Sequence, residues 1–121
     1  MIRRFRWWEP KYPNVHWTDS VTGYGIQVRF NDFTGTWCGY VVLPEDHPCL
    51  DPVDEDYSLL TSIPVHGGWT YRNGSVVGFD CAHYSDFRPT DTPSSIQKTY
   101  WTFAMVKDEI LKAALALFAL Q

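Results

Sequence analysis

The dipeptide Asn73-Gly74, set between two β-rich runs, constrains this chain's fold more than any other feature. Asn-Gly is the strongest short-range hairpin signal, because a type I′ turn needs φ > 0 at both central residues. A two-residue turn there faces Arg72 with Ser75 and fixes every later pair, since strand side chains alternate with period two. Tyr71 then faces Val76, Trp69 faces Gly78, Gly67 faces Asp80 and His66 faces Cys81. In that register the polar and titratable groups of Val65–Asp86 gather at the end of the hairpin away from its turn. Function is expected at that end.

Composition narrows the class. The 121 residues suit one domain, 1–121, with a modest core. Six Trp, seven Tyr and seven Phe exceed what so small a core needs, which fits a loop-rich core or an aromatic-lined ligand surface. A net charge of −4 weighs against a general nucleic-acid binder, so no nucleic-acid partner is expected. Cys38, Cys49 and Cys81 are odd in number and lack paired spacing, which reads as reduced thiols. No signal peptide or apolar run of membrane-spanning length is recognised, so no membrane partner is expected, and the glycosylation pattern Asn73-Gly74-Ser75 is discounted.

Taken in order, Met1–Trp8 alternates basic and apolar residues and reads as a half-buried edge strand, with a nucleic-acid arm as the sharper alternative. Pro10 and Pro13 impose an extended connection. Gly23–Phe30 and Thr36–Leu43 read as strands joined by a turn at Asn31–Gly35. Pro44–Leu60, with seven acidic or histidine side chains and three Pro, reads as a long acidic loop with a short turn of helix. Ser85–Ser95 is a further loop. Thr102 is placed to cap a helix over Phe103–Leu120, whose apolar residues sweep roughly 220° where a surface helix shows a narrower stripe. One side of that helix is expected on the sheet. Leu111, Leu115 and Phe118 are then left for a partner, most economically a second copy of the chain in a homodimer. The fold class expected is α+β, a small mostly antiparallel sheet with a long C-terminal helix packed on one face.

Three blocks stand together: Cys38-Gly39-Tyr40-Val41-Val42-Leu43-Pro44-Glu45-Asp46-His47-Pro48, Val65-His66-Gly67-Gly68-Trp69-Thr70-Tyr71, and Gly78-Phe79-Asp80-Cys81-Ala82-His83-Tyr84-Ser85-Asp86. As a set, over about residues 36–86, the chain resembles a group of small, mostly uncharacterised proteins encoded by tailed bacteriophages and prophages. The resemblance implies a phage origin and a bacterial host cytoplasm. It carries over no catalytic residue.

The candidate site residues are His47, His66, Gly67, Gly68, Trp69, Asp80, His83 and Asp86, with Glu45 and Cys81 nearby. One reading is a metal site: His66, Cys81 and His83 share a face in the expected register, but they match no known zinc spacing and no metal or other cofactor is expected. A second is a small hydrolase, with His66 or His83 as general base oriented by Asp80 or Asp86, since imidazole titrates near neutral pH and needs a hydrogen bond to fix its tautomer. The leading functional reading is a pocket for a nucleotide-like ligand bound without turnover, a phage protein sequestering a host immune messenger. Gly67 and Gly68 would let a ligand approach and offer N–H donors, and Trp69, Tyr71, Phe79 and Tyr84 would offer faces for stacking. Against all three stands a purely structural role, in which His66 and Asp80 pin the Pro44–Leu60 loop. The remaining alternative is an interaction protein that uses the helix and the acidic loop to block a host defence protein.

Overall fold

A computed structural model describes residues 6–53, 57–91 and 96–121. Five strands form one antiparallel sheet in the order β1-β2-β3-β5-β4, with β1 Asn14–Thr18, β2 Gly25–Asn31, β3 Thr36–Val42, β4 Tyr71–Asn73 and β5 Val76–Asp80. A 3-10 turn, Pro48–Leu50, lies within the acidic loop, a single helical turn, α1 (Ser58–Thr61), spans its end, and α2 (Phe103–Ala119) is the last element. The α+β class expected from the sequence is what the chain adopts.

Alternation decides which sheet face is covered. Ile26, Val28, Trp37, Val41, Val77 and Phe79 are buried on one face, where α2 lies against β2 and β3 through Val106, Ile110, Ala113, Ala114 and Leu117. Gly39 makes the close approach possible, since a Cβ there would sit 2.9 Å from Phe79 and 3.2 Å from Ile110 and Val106. Thr102 caps the helix as expected, its hydroxyl accepting from the Met105 N–H at 3.3 Å. Along the exposed side of α2, Leu115 and Phe118 remain 51% and 46% exposed. Among the described residues no helix is long and apolar enough to cross a membrane. Cys38, Cys49 and Cys81 are all buried, and none forms a disulfide.

Three expectations are corrected. The hairpin turn is tight, but it is centred on Gly74-Ser75, pairing Asn73 with Val76, Arg72 with Val77 and Tyr71 with Gly78. Gly74 has φ +58° and Ser75 is not among the positive-φ residues, the sign pattern of a type II′ turn in place of type I′. Because the slip is two residues, each side chain keeps its face. Secondly, β4 stops at Tyr71: Gly67 and Gly68 have φ +69° and +83°, incompatible with a strand, so His66 does not pair with Cys81 along a ladder. Thirdly, the segment after Pro13 is the edge strand β1, which the sequence reading leaves as a connection. The edge strand expected at Met1–Trp8 lies mostly outside the described residues. Trp7 and Trp8, which are described, lie in a turn.

Candidate functional site

The turn Val65–Gly68 carries His66. It closes with Gly68 N–H donating to the Val65 carbonyl at 2.9 Å, so the Gly68 N–H expected to face an anion is already used. The imidazole leaves this turn towards Asp86, with Nε2 2.7 Å from Oδ1. Asp86 is 1% exposed, and its other oxygen accepts the His83 N–H at 2.9 Å. A buried carboxylate is tolerable only when its oxygens are hydrogen-bonded, and both are. An ionised carboxylate only accepts, so His66 carries a proton on Nε2 and, when neutral, presents a lone pair at Nδ1. Among the described residues nothing is hydrogen-bonded to that Nδ1.

Three further groups fix the ring. Trp101 stacks on it, with centroids 4.0 Å apart and planes inclined by 25°. Two ties place Trp101: Asp86 bridges Thr99, with Phe87 N–H donating to the Thr99 carbonyl at 2.8 Å and Thr99 N–H to the Ser85 carbonyl at 3.1 Å, and Thr102 then starts α2. Glu109, on the second turn of α2, accepts the His66 backbone N–H at 3.1 Å. The ring of His83 stands edge-on to His66 at 5.7 Å and is held by the carbonyl and Oδ1 of Asp80, each 3.1 Å from Nε2. His83 also explains Gly67: a Cβ there would lie 2.2 Å from Nε2, on a backbone already at positive φ.

His66, Gly67, Asp80, His83 and Asp86 are therefore brought together, by loops at the sheet's end and not by the ladder. His47 is elsewhere. Only 2% exposed, it accepts the Cys49 N–H at Nδ1 (3.0 Å) and contacts the Leu117 carbonyl through Nε2 (2.8 Å), tying the acidic loop to the last turns of α2. Trp69 turns inward, its indole N–H donating to the Ile63 carbonyl at 2.9 Å, and Gly68 is open on its Cα side. The other aromatic faces disperse: Phe79 is buried, Tyr71 lies on the opposite sheet face beside Tyr40, and Tyr84 is exposed. Cys81 is buried beneath the site, where loss of solvent and the charge of Asp86 push its thiol well above the usual range. Among the described residues no three His, Cys, Asp or Glu side chains are placed to hold a metal.

Trp101 and Glu109 escaped the sequence reading. Each had a signal: an aromatic immediately before the Thr102 cap, and a carboxylate set between Val106 and Ile110 on the buried side of the helix. They border a shallow cavity of about 240 Å³ lined by Trp101, Met105, Asp108, Glu109 and Lys112. Comparison with protein-family models, with curated proteins and with solved structures finds no match to this chain.

Proposed function

We propose that the chain binds a small nucleotide-like ligand where His66, Trp101 and Glu109 meet, and releases it unchanged. One observation carries the reading: the imidazole of His66 is clamped by Asp86 and Trp101 and has an acceptor at Nδ1 with no hydrogen bond among the described residues. Base N–H groups and sugar hydroxyls are the donors such a nitrogen and the neighbouring carboxylates Asp108 and Glu109 accept. The adjoining cavity, at about 240 Å³, is below the usual 300–1,000 Å³ of a ligand pocket, so it takes a base or sugar and leaves phosphate in solvent. The two carboxylates that line it, Asp108 and Glu109, favour that orientation.

The second reading is hydrolytic, and it rests on the same 2.7 Å pair, because a histidine oriented by a buried carboxylate is the arrangement of a general base. A panel of cyclic and linear nucleotides separates the two. A binder's melting temperature rises, by roughly 2.7 kcal/mol of stabilisation at 100 times Kd, and heating returns the ligand intact. An enzyme returns altered product. If no nucleotide shifts the melting temperature at millimolar concentration, both readings fail, and a host protein retained in a pull-down then favours the interaction protein.

In a phage setting the binder would act in the host cytoplasm by sequestering an immune messenger. A homodimer through Leu115 and Phe118 of α2 belongs to the same proposal. Light scattering should give twice the 14.0 kDa chain mass, and Leu115→Asp with Phe118→Asp should halve it. A monomer at high micromolar concentration sinks the dimer.

A further inference from the structure

The sheet face opposite α2 carries a second chemistry, independent of His66. Register aligns its side chains in rungs. One rung runs His16, Gln27, Tyr40, Gly78 and Tyr71 across all five strands, and the next aligns Asn14, Arg29, Cys38 and Asp80. Gly78 lies beneath the ring of Tyr40, since a Cβ at Gly78 would stand 2.4 Å from Tyr40 Cδ1. That ring meets Tyr71 edge-on at 5.2 Å, and the Arg29 guanidinium rests over it, 4.8 Å from its centroid. Arg29 also donates to the side-chain oxygen of Gln27. An exposed arginine usually loses rotamer freedom when it binds; here two neighbours already restrict it.

Beside the guanidinium is an open cavity of about 540 Å³, lined by Asn14, Val15, His16, Gln27 and Arg29. Among the described residues no carboxylate lines it, and Arg29 is the one permanently charged side chain that does. Asp32 borders the neighbouring hollow, and Asp80 stands on Arg29's rung two strands away, roughly 10 Å by the usual interstrand spacing. In a chain of net charge −4, a cavity with a fixed guanidinium and no carboxylate among its described lining residues favours negative charge. The guanidinium fork matches two oxygens held on one centre, and two amides and an imidazole supply further hydrogen bonds.

We propose that this cavity binds a small organic oxyanion, a carboxylate or phosphate monoester, with Arg29 as its charge partner and Asn14 and His16 as hydrogen-bonding walls. Amide NMR of the full chain, titrated at constant ionic strength with benzoate, phenyl phosphate, inorganic phosphate or chloride to roughly 10 mM, tests it. Saturable shifts confined to Asn14, His16, Gln27 and Arg29 are expected with an organic oxyanion. Benzoate against phenyl phosphate distinguishes the two sources, and inorganic phosphate shows whether the organic group contributes. Arg29→Gln should abolish saturation with its spectrum otherwise native, and Arg29→Lys, losing the fork, should weaken binding about tenfold. Linear, unsaturable shifts, a response equal to that with chloride, or saturation that survives Arg29→Gln overturns the proposal. Should Arg29→Gln fail to fold, His16→Ala with Asn14→Ala on the exposed edge strand decides, because unchanged affinity there also overturns it.

Discussion

His47 and His66 each point Nε2 at a buried oxygen, at 2.8 Å from the Leu117 carbonyl and 2.7 Å from the Asp86 carboxylate. They part at the other nitrogen. His47 Nδ1 is taken by the Cys49 N–H, and with a carbonyl as the second partner the ring is held in one neutral tautomer with nothing left to offer. His66 has a carboxylate opposite and an Nδ1 without a hydrogen bond among the described residues. The two histidines thus divide into a fastener and a presented acceptor. The partner's chemistry makes the difference, more than burial alone.

Breaking the fastener should have the largest effect. His47→Ala removes the acceptor of the Cys49 N–H and the ring at the Leu117 carbonyl and empties a buried position, so a loss of about 3 kcal/mol is expected in urea denaturation. A loss below about 1 kcal/mol would mean that water replaces the ring and that the contrast with His66 is overdrawn. Gly67→Ala comes next, at about 2 kcal/mol, from positive φ together with displacement of His83. Its effect should spread into the other site, with the His83 ring resonances moving and those of His47 unchanged.

How far the contrast was legible in the sequence depends on the range of the cause. Strands β2 and β3 showed their alternation, and α2 its cap and its lack of Gly and Pro, because these are set by residues within a turn or two of one another. Strand β1 was hidden behind Pro10 and Pro13. The hairpin slipped because Gly74 alone takes the positive φ, where Asn-Gly suggested that both residues would. The clustering of His66, Asp80, His83 and Asp86 was anticipated, but on a ladder that Gly67 and Gly68 interrupt. What the sequence could not display is long-range: Leu117 reaching His47 from the far end of α2, and Trp101 arriving over His66 through the Asp86–Thr99 bridge.

On the other side of the comparison the stability effect should be small. His66→Gln removes a ring that is 20% exposed and can be partly replaced by the amide, so a change of about 1 kcal/mol is expected by urea denaturation. The melting shift given by a bound nucleotide should nevertheless vanish. If His66→Gln were to cost as much as His47→Ala, His66 would be a second fastener, and the structural role would displace the binding one.

The smallest perturbation leaves the fold intact and asks each nitrogen directly whether it is free. Diethyl pyrocarbonate acylates an imidazole nitrogen that carries an exposed lone pair. His16 is exposed and serves as an internal standard. At His66 the lone pair at Nδ1 is free of hydrogen bonds among the described residues, but Trp101 covers one face of the ring, so reaction should be slower than at His16 yet measurable on the native protein. His47 has its Nδ1 lone pair committed to the Cys49 N–H and is 2% exposed, so it must wait for the loop to open from α2 and should react at least roughly a hundredfold more slowly. Peptide mapping by mass spectrometry over a time course reads all three. Adding urea below the unfolding midpoint should speed His47 steeply and His66 little, because only His47 is limited by opening. Equal rates at His47 and His66 in native buffer would remove the distinction on which the site assignment rests.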